Sequence, residues 1–202
     1  MSIIYILLAI TAYLIGSIPT AFLIVKKFTG KNILEYGTGN VGTMNTHRTT
    51  NNKYLTLLVL LVDISKGCLV YFSSLYLISN FVLNLQFALG LSGFFVILGH
   101  NYSIFLKLKG GKGLATAMGF VLFLNPVLIL VWGLIFTLIT FISKYMVLGQ
   151  LVASIFIPLI TFYLFPEQFL IVLPFSILVI LKHLPRLINI IHKIEPKMYY
   201  KI

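Results

Sequence analysis

A chain of 202 residues that is 59% hydrophobic, 9% charged and of mean hydropathy +1.04 is too apolar for a soluble domain, in which about a quarter of residues carry charge. The net charge of +11 does not describe a nucleic-acid-binding face, because the Lys and Arg residues lie between apolar runs; anionic substrates and membrane lipids are the partners it fits. The one cysteine, Cys68, lies inside an apolar run and reads as a small packed side chain, which excludes a disulfide framework and a cysteine metal site.

The apolar runs are predicted to be helices, since a span needs about 20 apolar residues. A barrel would need short alternating strands, and these runs are apolar on every face. The first, 3–25, could pass for a signal peptide, but no charged segment precedes it and it continues to 25, so it is expected to be a retained first span. The loop after it reads Gly37-Thr38-Gly39-Asn40-Val41-Gly42-Thr43-Met44-Asn45-Thr46-His47-Arg48. Small and amide residues let a backbone approach an anion, and Arg48 offers a two-pronged donor set to phosphate. A flexible polar turn would use the same residues. The letters also match a dinucleotide-binding fingerprint, but no strand precedes the glycines and Asp63 falls inside a span, so that reading is rejected.

The second run, 54–77, carries Asp63 and Lys66 three residues apart on one helical face. Charges within a span face a bundle interior or a polar cavity; these either neutralise each other or serve a site. The third run, 81–98, leads through His100 into a loop with Lys107, Lys109, Gly110, Gly111, Lys112 and Gly113. Lysines and glycines at a helix start combine cations, free N–H groups and the positive end of the helix dipole, which suits an anion. It is not a Walker A loop, because Gly113 follows Lys112 where Ser or Thr is required. Positive charge flanking a span would also produce it.

The run 114–142 has 29 residues with Asn125-Pro126 near its middle, so it is one kinked span or two short ones. Charge chooses between them. With two, 14 of the 15 basic residues fall on one side: five in 26–53, three in 100–113, one in 143–147 and five in 182–202, with Lys66 inside the second span. The positive-inside rule then predicts an all-α polytopic membrane helical bundle of seven transmembrane spans, N-terminus outside and C-terminus cytoplasmic. The last runs, 148–165 and 169–181, lead to His183 and a tail through Glu195-Pro196-Lys197 that either closes over the site or lies on head groups. His100 and His183, each at the inner end of a span, are open to structural or chemical roles. No linker, repeat or second domain is visible, so residues 1–202 are expected to form a single integral membrane domain.

Gly16-Ser17-Ile18-Pro19, Gly39-Asn40 with Asn45 and Arg48, Asp63 with Lys66-Gly67, Gly99-His100 with Phe105, Gly110-Gly111-Lys112-Gly113 with Ala115-Thr116, and His183 with Glu195-Pro196-Lys197 occur in an order and spacing that resembles the membrane glycerol-3-phosphate acyltransferase family that uses acyl-phosphate as donor. The resemblance covers nearly the whole chain. It implies seven spans in the bacterial cytoplasmic membrane with the active-site loops on the cytoplasmic side. It also implies transfer of a fatty acyl group from acyl-phosphate to the 1-hydroxyl of glycerol-3-phosphate, giving lysophosphatidic acid and phosphate for phospholipid synthesis, with no metal or other cofactor. Arg48, Lys112 and His183 are the catalytic candidates on this reading. Thr38, Gly39, Asn40, Asn45, Lys66, His100, Gly110, Gly111, Gly113 and Arg186 are the candidates for substrate and phosphate binding, with Asp63 and Glu195 in support.

Some positions depart from that pattern. Thr38 stands where serine is usual and keeps the hydroxyl. Val147 and Gln150 replace two serines, and Arg186 replaces an asparagine. A divergent paralogue with an altered substrate or low activity would show such changes. A transporter or binder of organic phosphates is the non-enzymatic alternative, weakened by the absence of an inverted repeat. Transfer of a phosphoalcohol from a CDP-linked lipid needs a cluster of metal-binding aspartates, and Asp63 is the only aspartate in the chain.

Overall fold

The computed structural model describes residues 2–81, 83–195 and 197, and these are all-helical, with no strand among them. The helices are α1 (Ser2–Ser17), α2 (Thr20–Thr29), α3 (Thr43–Thr50), α4 (Lys53–Phe81), α5 (Leu85–Asn101), α6 (Leu114–Leu124), α7 (Pro126–Ser143), α8 (Met146–Leu164) and α9 (Pro166–Ile191), with short 3-10 turns at Ile33–Glu35 and Ile104–Leu106. Pro196, part of the tail motif, lies outside the described residues.

Six stretches are long and apolar enough to cross a membrane: Ile3–Thr29, Lys53–Phe81, Leu85–Leu106, Pro126–Ser143, Met146–Leu164 and Pro166–Ile191. The remaining apolar helix, α6, has 11 residues, so it is about 16 Å long, roughly half of a hydrocarbon core. Seven spans were expected; by length the fold has six and one short helix. The cause is local. The loop glycines hold the chain out of helix until Leu114, and Asn125 ends α6 in extended backbone (φ −163°, ψ 99°). The Asn125 side chain then accepts from the Val127 N–H at 3.1 Å, and Pro126 opens α7, where its missing N–H costs nothing.

Side-chain pairings fix the direction of each helix. α1 and α5 run parallel, with the Tyr5 ring on Phe87 at one end and the Tyr13 hydroxyl on the Tyr102 carbonyl at the other. α4 runs against α5, as Asp63 meets His100 and Ser74 meets Ser92. α6 is parallel to α4, with Ile64 on Gly119 and Phe72 on Phe123. α9 is parallel to α5, with Ile171 beside Gly90 and the Asn101 amide on the Leu178 carbonyl. α8 runs against both α9, through Gln150 with His183 and Phe162 with Phe169, and α7, through Ser154 with Trp132 and Gly149 with Thr140. α6 and α7 are therefore antiparallel, and the seven apolar helices alternate in direction along the chain.

Glycine makes the closest of these contacts possible. A Cβ on Gly16 would strike the Val96 carbonyl, one on Gly67 the Thr116 carbonyl and one on Gly119 the Ile64 carbonyl. Where lipid is as apolar as leucine, close backbone packing takes the place of a hydrophobic driving force between helices. The main core lies around α5, from Ala12, Val70, Val96, Ile97, Phe120 and Phe175. By contrast α7 is 11% buried over its apolar window and forms the periphery.

Candidate functional site

Because the helices alternate, the loops 30–52, 102–113 and 144–145 and the tail after Ile191 share one end of the bundle. The first loop is built around Asn45, which is 2% exposed. Its amide nitrogen reaches the carbonyls of Ile33 (3.2 Å), Tyr36 (3.0 Å) and Asn40 (2.8 Å), and its oxygen accepts from the Thr38 N–H at 2.9 Å. Asn45 thus holds Thr38, Gly39 and Asn40 in a tight arch that ends at α3, which carries Arg48. Gly39 sits at φ +63°, the left-handed region that favours glycine. The Asn40 amide donates to the Gly110 carbonyl at 3.3 Å and ties this loop to the next.

The second loop lies on the end of α5. The Gly111 N–H donates to the His100 carbonyl at 2.9 Å, and a Cβ on Gly111 would enter the His100 ring. A Cβ on Gly113, at φ +78°, would lie 2.7 Å from the Asn101 amide oxygen. Glycine is needed here so that the loop can lie on α5, which sets the stem of Lys112 between Gly111 and Gly113.

The third segment is the end of α9. Arg186 donates to Glu195 through Nε and Nη2, both at 2.7 Å, while Glu195 is 5% exposed. Arg48, Lys112 and Arg186 share one electrostatic environment with that carboxylate. Burial, then repulsion by Arg186, lowers the Arg48 guanidinium from its ordinary value, with Glu195 opposing. The Lys112 ammonium is lowered to about 8, first by burial, then by Arg186 and Arg48, again against Glu195. Three cations face one anion.

One helical turn before Arg186, the fully buried His183 ring donates from Nδ1 to the Val179 carbonyl at 2.7 Å and meets the Gln150 side-chain amide from α8 at 2.9 Å. A separate network lies inside the bundle. The Lys66 ammonium donates to Asp63 at 2.8 Å and to the Ile18 carbonyl at 2.6 Å. His100 Nδ1 lies 3.7 Å from Asp63 and 3.3 Å from the Thr116 hydroxyl.

The expected site residues therefore divide by position. Arg48, Lys112, Arg186 and Glu195 come together as charges; Thr38, Gly39, Asn40, Asn45, Gly110, Gly111 and Gly113 shape the loops that carry them. Lys66 and Asp63 are committed to each other and to α1, and His100 connects that pair to the second loop. Two residues were missed. Gln150 appeared in the sequence only as a lost hydroxyl, although an amide within an apolar helix signals a buried partner. Asn101, wholly buried with its amide on Leu178, was legible only as the neighbour of His100.

Fold and site together define an integral membrane helical protein with a cationic cluster of glycine-shaped loops at one end. The chain belongs to the glycerol-3-phosphate acyltransferase family, whose pattern matches residues 6–193. A glycerol-3-phosphate acyltransferase of Wolbachia pipientis is 37% identical over 193 residues, covering 96% of this chain and 97% of that protein. One from Fusobacterium nucleatum is 34% identical over 194 residues, covering 95% and 96%. The fold is similar to the crystal structure of PlsY (YgiH), an integral membrane glycerol 3-phosphate acyltransferase, in its glycerol 3-phosphate form, with a TM-score of 0.83 and 28% identity over 96% of this chain and 95% of that one. The lysophosphatidic acid form of the same protein gives a TM-score of 0.81 and 29% identity, covering 96% and 94%.

Proposed function

We propose that this protein transfers a fatty acyl group from acyl-phosphate to the 1-hydroxyl of glycerol-3-phosphate, giving lysophosphatidic acid and phosphate, at the inner face of a bacterial cytoplasmic membrane. The observation that carries this is the grouping of Arg48, Lys112 and Arg186, from three separate segments, around one carboxylate, Glu195. Two phosphate-bearing substrates need such a surplus of positive charge. The family membership supports the acceptor, and its relatives carry the name of that reaction.

The chemistry follows from these groups. The glycerol hydroxyl oxygen attacks the acyl carbonyl carbon, the bond from that carbon to the phosphate oxygen breaks, and inorganic phosphate leaves. The hydroxyl proton passes to a phosphate oxygen, so no side chain need act as base. Arg48 and Lys112 hold the phosphates and offset the charge that grows on the carbonyl oxygen and on the leaving phosphate. The arch of Thr38, Gly39 and Asn40 is tied to Gly110 beside these charges, and His183 lies one helical turn before Arg186. Alternation of the seven helices favours seven crossings, with α6 as a short one, the N-terminus outside and the basic loops in the cytoplasm.

The test is purified protein with acyl-phosphate and labelled glycerol-3-phosphate, with phosphate release and lysophosphatidic acid measured together. The two products are expected in equal amounts. Arg48→Ala and Lys112→Ala are each expected to lose about 10²–10³-fold in rate, as removal of a transition-state charge partner does. Equal activity in both variants and the parent would overturn the assignment.

A further inference from the structure

We infer that Gln150 is a positioning residue for His183: its side-chain amide fixes which ring nitrogen carries the proton. The proposal deepens the function above and rests on His183 taking part in the reaction.

The geometry restricts the choices. His183 is 1% exposed, and among the described residues Nδ1 bonds the Val179 carbonyl at 2.7 Å. A carbonyl accepts and never donates, so Nδ1 carries a proton. The other nitrogen, Nε2, lies 2.9 Å from Oε1 of Gln150 as the amide is placed, and a half-turn of that amide brings its NH₂ to the same position. A neutral imidazole with a proton on Nδ1 has a lone pair on Nε2, which requires a donor. Gln150 can present either NH₂ or oxygen there by turning its amide, and the coordinates of the two atoms are interchangeable in shape. Among the described residues no carboxylate pairs with His183, while Lys112 and Arg186 are its charged neighbours. A buried ring without a counter-ion favours the neutral form, so the amide NH₂ faces Nε2 and the Gln150 oxygen faces away.

The chain's own departures from the family pattern make this more than a packing detail. Val147, the other position where a serine is usual, is buried as an apolar residue. Gln150 lies one turn further along α8 and is half-buried, and its longer side chain spans the gap between α8 and α9 that a serine hydroxyl would bridge only at closer range. Both contacts of the ring come from helices, Val179 on α9 and Gln150 on α8, so the ring plane is set by the packing of that helix pair.

The experiment has two arms. In the first, protein with ¹⁵N-labelled histidine is observed by NMR without substrate. The parent is expected to show His183 with Nδ1 protonated and Nε2 unprotonated. Gln150→Glu, which keeps the shape but can only accept, is expected to move the Nε2 resonance to that of a protonated nitrogen. Gln150→Leu is expected to broaden or shift it. Unchanged His183 resonances in both variants would overturn the proposal, whatever the activity. In the second arm, Gln150→Leu is expected to lower kcat about 10-fold, the loss usual for a residue that orients a functional histidine, with KM for both substrates nearly unchanged. Gln150→Asn and Gln150→Ser test rescue by shorter donors. Full activity in His183→Ala would remove the chemical role of His183 and leave the NMR result to stand as structure. Loss of activity in His183→Ala with unmoved resonances in the Gln150 variants would do the reverse.

Discussion

Lys112 is the residue in which folding and chemistry pull in opposite directions. Its ammonium is lowered from 10.5 to about 8 by burial beside Arg186 and Arg48. Between those values the unfolded chain binds the additional proton, so this residue makes stability rise with pH over that window, and below about 8 the charged form carries its full burial cost. On the proposed role of Lys112 activity runs the other way, because a neutral amine does not offset phosphate charge. We expect kcat/KM to fall as pH rises through about 8, and Lys112→Arg, which keeps its charge, to flatten that limb; a pH–rate profile of free enzyme with dilute glycerol-3-phosphate reads this directly. Lys66 makes the complementary case. It is 5% exposed and held by Asp63 and the Ile18 carbonyl. Lys66→Met is expected to destabilise the bundle by about 3–5 kcal/mol, since it leaves the Asp63 carboxylate buried without the ammonium that balances it, His100 lying 3.7 Å away, and adding Asp63→Asn should recover most of it. Thermal unfolding in detergent would check both.

At the scale of the elements, the same lysine explains a break. Pro19 stops α1 and leaves the carbonyls of Ser17 and Ile18 outside the helical ladder; the Ser103 hydroxyl bonds the first at 2.5 Å, and the second takes the Thr20 N–H at 2.9 Å and the Lys66 ammonium at 2.6 Å. In lipid such carbonyls need partners from the protein itself. The sequence made Gly16-Ser17-Ile18-Pro19 and Asp63 with Lys66 visible as motifs, but not that one completes the other, because a periodic pattern gives the face of a helix and not the atom across from it. For the same reason the apolar runs, the break at Asn125-Pro126 and the basic loops were readable, while the pairing of Gln150 with His183 was not. The close α4–α6 contact offers a test of packing. Gly67→Leu would press a side chain into the Thr116 carbonyl and the Phe120 backbone; a cost of about 2–3 kcal/mol is expected for overpacking a site with no room to yield. A fall in melting temperature together with loss of the loop's activity would support it.

Across the whole molecule, charge and helix direction lead to one arrangement. The connections near Asn80, Asn125 and Pro166 carry no Lys or Arg, and every loop that does lies at the opposite end. A reporter inserted after Asn125 is expected to read as external, and one after Lys144 as cytoplasmic. A cytoplasmic signal at Asn125 would contradict seven crossings. Six helices of spanning length and one short one would then have to be threaded differently.

The shortness of α6 has a consequence for where the two substrates meet. Gly119 packs on Ile64 and Thr116 on Gly67, so the Gly113 end of α6 lies near the level of Ile64 on α4. That is roughly 15 Å along the axis from Lys53, where α4 begins, at 1.5 Å per residue. The lysine loop is therefore sunk, together with the ends of α1 and α5, below the start of α4. On the proposed reaction, a long-chain donor would present its head to Lys112 with its tail still dissolved in the bilayer, while a small polar acceptor enters from the water side. On that proposal the protein works as a boundary between two solvents, and neither reactant has to leave its own.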